Sequence, residues 1–202
     1  MCDTGAHYLC GTTDTTRVVH FDGEADKDLK EKYTQVLMGN LDLESVKFPK
    51  NKGVKGPILE PMARRHLWDQ HSDFQHSVGH GVSHCGPVHE YPHYAFARSD
   101  THVLSLAPGM VITNEPGYYR AGEFGIRIEN MMQVVEEGED FLGFKCMTLV
   151  PYSRELVDSN LLEKKHKRLI ENYYERIERE VAPLLQDDKR ALSHLKRQLE
   201  FI

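Results

Sequence analysis

The spacing of apolar and polar positions changes several times along the chain, and each change marks an element. Residues 7–9 and 17–21 are strand-like, with Gly11, Thr12 and Thr13 as turn residues between them. This predicts a hairpin over 3–21 with Asp3 and Asp14 on opposite arms. From 25 to 39, Leu29, Tyr33, Val36 and Leu37 recur at helical spacing, acids come early and Gly39 closes the pattern, which predicts an amphipathic helix with a stop. Pro49, Gly53, Gly56 and Pro57 punctuate a loop, after which 58–69 resumes a helical pattern through Met62, Ala63 and Leu67, its start blurred by Pro61. Between 72 and 110, Gly79, Gly81, Gly86, Pro87, Pro92, Pro108 and Gly109 forbid a long helix, leaving loop and short strand. Strands are predicted at 110–113 and 124–129, separated at Gly117 and Gly122. The second continues through 131–135, and a last short strand covers 147–151. Residues 158–181 and 189–201 read as two charged amphipathic helices separated by Pro183. With no internal repeat, the fold class is α+β, a mostly antiparallel sheet with helices packed on it.

Composition narrows the function classes. The 202 residues, 40% of them hydrophobic, suffice for one domain with its own core. Acids outnumber Lys and Arg by 31 to 25, a formal charge of -6, so a nucleic-acid partner is excluded. No stretch approaches the roughly 20 apolar residues of a membrane helix, and the first residues form neither a signal nor a transit sequence, so a soluble cytoplasmic protein is expected. Cys2, Cys10, Cys85 and Cys146 lack C-x-x-C spacing, which argues for free thiols and against a disulfide framework or a thiolate zinc site. Two features stand out. Six histidines (His71, His76, His80, His84, His89 and His93) crowd into residues 71–93. The polar Gly- and Thr-rich run of 3–17 begins at once, as in a chain missing its beginning.

The chemistry lies in what converges. The predicted elements offer Asp3 and Asp14 from one hairpin and Glu115 and Glu129 from neighbouring strands. Four bare carboxylates repel one another, so such a cluster persists only around cations. Two divalent ions balance it, and His80, between Gly79 and Gly81, would complete an oxygen-rich dinuclear site for manganese, cobalt or zinc, its flanking glycines allowing a tight turn. Such a pair of ions can hold a bridging hydroxide and polarise an amide carbonyl, with His76 and His89 nearest at hand for proton traffic. Each residue alone also has a plainer reading. Asp3 and Asp14 fit turn chemistry, and Arg127 and Glu129 fit a simple ion pair on one strand face. His71, His84 and His93 fit loop positions, and the acids and lysines after 158 a solvated helix face.

Taken together, the strings Asp3-Thr-Gly-Ala, Gly11-Thr-Thr-Asp14-Thr-Thr-Arg17, Val78-Gly-His-Gly-Val82, Val88-His-Glu-Tyr-Pro92, Pro108-Gly-Met-Val-Ile-Thr-Asn-Glu-Pro-Gly-Tyr-Tyr119 and Phe124-Gly-Ile-Arg-Ile-Glu-Asn130 resemble the catalytic domain of the aminopeptidase P family. That family, the Xaa-Pro aminopeptidases, belongs to the pita-bread metallopeptidases with prolidase, methionine aminopeptidase and creatinase. The resemblance implies a curved, mostly antiparallel sheet covered by helices, with a partial catalytic domain over 1–157 and a C-terminal helical extension over 158–202. It implies Asp3, Asp14, His80, Glu115 and Glu129 as ligands of two divalent ions, Mn2+ before Zn2+ or Co2+, with Asp14 and Glu129 bridging. By the same resemblance Glu115 takes the proton from the bridging water, His89 contacts substrate and assists proton transfer, His76 lines the substrate pocket, and Arg127 steadies the carboxylates. The implied reaction removes the N-terminal residue from peptides with proline second, in a cytoplasmic enzyme acting as a homodimer, for which the C-terminal helices and Trp68 offer surface. Two departures matter. The domains and the first part of the pita-bread fold that precede the first ligand in the family are absent, so the fold is expected to be N-terminally truncated. The segment 81–88 also departs from the family's Gly-Val-Gly-Ser-Phe pattern near His89. The rival expectations are a non-catalytic binding module on the same fold and a prolidase-like dipeptidase.

Overall fold

The computed structural model describes residues 1–21, 23–90 and 104–200. His93 and the last residues of the string after Val88 lie outside the described residues. The first hairpin pairs β1 (Cys2–Tyr8) with β2 (Gly11–Arg17) in a register that sets Asp3 opposite Thr16 and Gly5 opposite Asp14. Its turn is therefore Leu9 and Cys10, and Gly11–Thr13 are strand, because β-branched threonines suit a pleated ladder better than a bend. Along β2 the buried positions include Thr12, Asp14 and Thr16, so the inward face of this hairpin is polar.

Helix α1 (Lys27–Glu44) is capped by Asp26, whose carboxylate accepts the Leu29 N–H at 2.8 Å, and it runs on through Gly39. Gly39 is a contact point and not a stop. A Cβ there would lie 2.1 Å from the Ala63 carbonyl oxygen of α2 (Gly56–Trp68), so the two helices touch through bare backbone. Pro61 is accommodated inside α2.

Strands β3 (Phe48–Pro49), β4 (Val111–Asn114), β7 (Asn130–Glu137) and β8 (Phe141–Cys146) form one antiparallel sheet in the order β3-β8-β7-β4. A second hairpin joins β5 (Gly117–Arg120) to β6 (Phe124–Arg127). The strand expected from 124 through 135 is broken at Ile128 and Glu129, whose N–H groups go to Pro116 and Thr16, and pairing then moves to a different sheet. Residues 147–151 are not strand. Their backbone is held instead by Tyr173 of α3 (Lys164–Val181), whose hydroxyl bonds the Thr148 and Val150 carbonyls at 3.0 and 2.9 Å.

One core runs through the molecule. Tyr33, Val36, Leu37 and Leu41 of α1 meet Ile112, Ile126, Ile128 and Met132 on one side and Tyr152, Ile170, Tyr174 and Ile177 on the other. Helix α3 begins later than 158, and α4 (Lys189–Leu199) follows it with its own Leu195 buried in the core. Trp68 is 46% exposed and not a core residue. Among the described residues no helix is long and apolar enough to cross a membrane.

Candidate metal centre

Four elements bring the candidate ligands to one place. Alternation on the first hairpin puts Asp3, Gly5, Asp14 and Thr16 on a single face, and a Cβ at Gly5 would lie 2.9 Å from the Thr13 carbonyl oxygen. Residues 78–82 run antiparallel beside β4. The Thr113 N–H bonds the His80 carbonyl at 2.8 Å, the Glu115 N–H bonds the Val78 carbonyl at 2.7 Å, and the His80 N–H reaches the Thr113 hydroxyl at 3.0 Å. Here Gly79 serves close approach and not a tight turn, since a Cβ would meet the Thr113 carbonyl oxygen at 2.1 Å. Glu129 follows the break after β6, with its N–H held by Thr16 at 3.1 Å.

Asp14, His80 and Glu129 are all buried, and one ligand atom from each lies within 4.8 Å of the other two. His80 Nε2 faces Asp14 Oδ2 at 3.4 Å and Glu115 Oε1 at 3.5 Å. Its Nδ1 is 2.9 Å from the Gly81 carbonyl, which can only accept, so Nδ1 carries a proton and Nε2 is the ring nitrogen turned to the carboxylates. Asp3 is the outlying member: its side chain is 47% exposed and bonded to Arg127. Arg127 Nε also lies 3.2 Å from the Thr16 hydroxyl and 3.9 Å from Glu115 Oε2.

The histidines divide. His89 is exposed and sets its ring edge-on to His80, centroids 4.2 Å apart. His76 joins a hydrogen-bond chain with Tyr119 and Arg127. Its Nδ1 donates to the Ser77 carbonyl and its Nε2 accepts from the Tyr119 hydroxyl, both at 2.7 Å, and Tyr119 in turn accepts from Arg127 Nη1 at 3.0 Å. His84 is exposed, as a loop residue should be.

Electrostatics agree with geometry. Burial, then the charges of Glu115, Asp14 and Asp3, push Glu129 up to about 8 against the opposing Thr16 hydrogen bond. Burial likewise raises Glu115, although His80, Arg127 and Thr113 pull the other way. For His80 burial disfavours the charged ring, but Asp14, the Gly81 carbonyl and Glu115 prevail and raise it. A compact set of oxygens and one imidazole nitrogen, short of positive charge and with Nε2 facing in, fits divalent cations, which would take the place of the proton there.

Three participants escaped the sequence reading. Thr16 donates to Glu129 Oε2 at 2.6 Å, Thr113 to Glu115 Oε1 at 3.2 Å, and Tyr119 links His76 to Arg127. The available signal was period two: each threonine lies two residues from a ligand on the same strand face.

Such a carboxylate and histidine centre on a curled antiparallel sheet flanked by helices defines a pita-bread metal-dependent peptidase. The chain belongs to metallopeptidase family M24, whose profile matches residues 1–136, and the C-terminal region of peptidase M24 matches residues 140–202. It is 42% identical, over 99% of its length and 34% of the relative's, to a probable Xaa-Pro aminopeptidase P of Sclerotinia sclerotiorum. To one of Botryotinia fuckeliana it is 44% identical, over 99% and 31%. Among solved structures it matches an X-prolyl aminopeptidase from Caenorhabditis elegans, described as a cytosolic enzyme with a di-nuclear active site. The TM-score is 0.91 at 37% identity, over 99% of this chain and 33% of that one. The prolidase from Pyrococcus furiosus matches with a TM-score of 0.59 at 30% identity, over 71% and 39%. The chain thus spans about a third of the length of its aminopeptidase relatives.

Proposed function

We propose that the chain carries the catalytic centre of a cytoplasmic Xaa-Pro aminopeptidase that removes the N-terminal residue from peptides with proline second. The observation that carries this reading is the convergence of Asp14, His80 and Glu129 with Glu115 at 3.5 Å from the same imidazole nitrogen. The names of the relatives above support the substrate class. Asp3, Asp14, His80, Glu115 and Glu129 would hold two divalent cations, Mn2+ in preference to Zn2+ or Co2+. Those cations, when bound, polarise the scissile carbonyl and acidify water.

The remaining work falls to side chains. Glu115, with its proton affinity raised by burial, takes a proton from the attacking water and delivers it to the proline nitrogen, which has no hydrogen of its own. His89, exposed beside His80, contacts the substrate and assists that transfer. Arg127 orients Asp3 and faces Glu115, while its bond to Tyr119 fixes the phenol against His76, which lines the pocket. We place the domain break at 157/158, with α3 and α4 as an extension packed on the catalytic part, and a homodimer as the working form.

The test is metal analysis together with an assay on Xaa-Pro-Yaa peptides in added manganese, with Xaa-Pro dipeptides as the prolidase control. Two metals per chain and cleavage of the longer peptides are expected. Fewer than one bound metal overturns the centre, and exclusive cleavage of dipeptides overturns the substrate class. Glu115→Gln should lower kcat by about 10²–10⁴, and retained turnover would refute its role.

A further inference from the structure

A second cluster of ligating side chains lies outside the centre described above. Asp42 of α1, His66 of α2 and His166 of α3 bury their side chains against one another, at 8%, 8% and 0% exposure. Asp42 Oδ2 lies 2.8 Å from His66 Nε2, and Asp42 Oδ1 lies 2.9 Å from His166 Nε2. The two imidazoles meet edge to face with centroids 5.4 Å apart, and one ligand atom from each of the three residues lies within 4.8 Å of the others. The Lys165 ammonium sits on Asp42 Oδ1 at 2.8 Å from a side chain that is 48% exposed.

A hydrogen-bonded staple between helices explains only part of this. Both rings turn Nε2 towards one carboxylate, which gives two nitrogens and an oxygen around a common point, the donor set of a zinc site with one position left for water. A tetrahedron with zinc bonds of 2.0–2.1 Å has edges of about 3.3 Å. The 2.8 and 2.9 Å contacts fall within about 0.5 Å of that edge, and one ligand atom from each residue lies within 4.8 Å of the others, so local side-chain shifts would close the shell. The fully buried Nδ1 of His166 has no hydrogen-bond partner, so a staple leaves this atom unexplained. Asp42 Oδ1 can only accept, so His166 carries a proton on Nε2 while its Nδ1 is left without a partner. Lys165 already holds a positive charge on the carboxylate and, being half exposed, can leave and uncover an entry path.

We propose that Asp42, His66 and His166 form a separate site for one divalent cation of the zinc class, covered by Lys165, that ties α1 and α2 to α3. On binding, each ring loses the proton on Nε2, where the ion takes its place, and carries its proton on Nδ1, and the Lys165 ammonium returns to water, with no change of redox state. His166 Nδ1–H then lacks an acceptor, which lowers affinity by about 10- to 100-fold relative to a site with both rings braced.

The experiment uses the full chain carrying Asp14→Asn and Glu129→Gln, which disables the other centre, so its outcome is independent of the aminopeptidase reading. Titration with Zn2+ should show one equivalent bound, and at a 100-fold excess over Kd the Tm should rise by about 5–10 °C. Co2+ in place of zinc should give the visible bands of a four-coordinate ion. His66→Ala and His166→Ala should each abolish the bound equivalent. Lys165→Ala, at a half-exposed position, should tighten zinc binding several-fold because the competing ammonium is gone. Absence of a bound equivalent overturns the proposal. So does zinc binding that is weakened by Lys165→Ala, since the lysine would then belong to the site and not compete with the ion.

Discussion

Glu129 shows how much chemistry rests on single side chains. It is 2% exposed, and with its pKa near 8 and an ordinary value of 4.5, the folded chain without cations holds more protons than the unfolded chain between those limits. Stability of the cation-free protein therefore falls as pH rises from about 4.5 to about 8 through this group. Urea unfolding with a chelator present should show that slope, and Glu129→Gln should remove its share of it. Cations reverse the sign, because binding must expel the proton. Apparent affinity should thus drop about tenfold per unit of pH below about 8, which calorimetry in buffers of different ionisation heat will detect as proton release. Thr16 is the partner that restrains this carboxylate, donating at 2.6 Å and receiving Arg127 Nε at 3.2 Å. Thr16→Val keeps the shape and the β-branching, so the fold should survive while metal affinity falls by about 10- to 100-fold in a competition titration. Unaltered affinity would show that Glu129 needs no such brace.

Elements were legible where one face is apolar and illegible where backbone touches backbone. The stripe through Leu29, Tyr33, Val36 and Leu37 locates α1 correctly, and Ile170, Tyr173, Tyr174 and Ile177 give α3 the same helical spacing. Gly39 misled because a glycine after a periodic run signals a helix end, and only the path of α2 reveals that it admits the Ala63 carbonyl. The break at Ile128 and Glu129 was equally hidden. An unbroken run of strand formers gives no sign that two N–H groups will be taken by Pro116 and Thr16. The candidate residues Asp14, His80, Glu115 and Glu129 stand in recognisable strings and the fold brings them together, whereas Thr16, Thr113 and Tyr119 were not singled out, because ordinary hydroxyl residues carry no motif. Gly39→Ala tests the helix contact. Better helix propensity is worth about 1 kcal/mol, but a Cβ 2.1 Å from an oxygen forces the helices apart, and a net loss of about 2–3 kcal/mol is expected from urea midpoints. Gly11→Ala, with nothing within 4 Å of its added Cβ, should be neutral or slightly stabilising and serves as the control.

At the scale of the whole molecule, Arg17 joins the candidate centre to the C-terminal helices. It ends β2, is 7% exposed, and donates to the Glu129 carbonyl at 2.7 Å, the Asn130 side-chain oxygen at 2.7 Å, the Val150 carbonyl at 2.9 Å and the Tyr173 hydroxyl at 3.2 Å. Its guanidinium also lies over the Tyr152 ring, 5.0 Å from the centroid. One buried fork thus touches the hairpin of Asp3 and Asp14, the backbone of Glu129, and α3 in the region matched by the C-terminal M24 profile. Lysine cannot reproduce that fork, since its single ammonium would leave several of these acceptors buried and unpaired. Arg17→Lys should therefore destabilise the fold by about 2–4 kcal/mol and also weaken metal binding through the released Glu129 backbone. Tyr173→Phe removes only the hydroxyl that meets Arg17, Thr148 and Val150, so its effect on stability should be smaller, about 1–2 kcal/mol. In the double variant the two losses should fall short of their sum by at least about 0.5 kcal/mol, as expected for side chains that share one network. Strict additivity, or a metal affinity indifferent to Arg17→Lys, would mean that the C-terminal helices cover the rest of the chain without bracing the candidate centre.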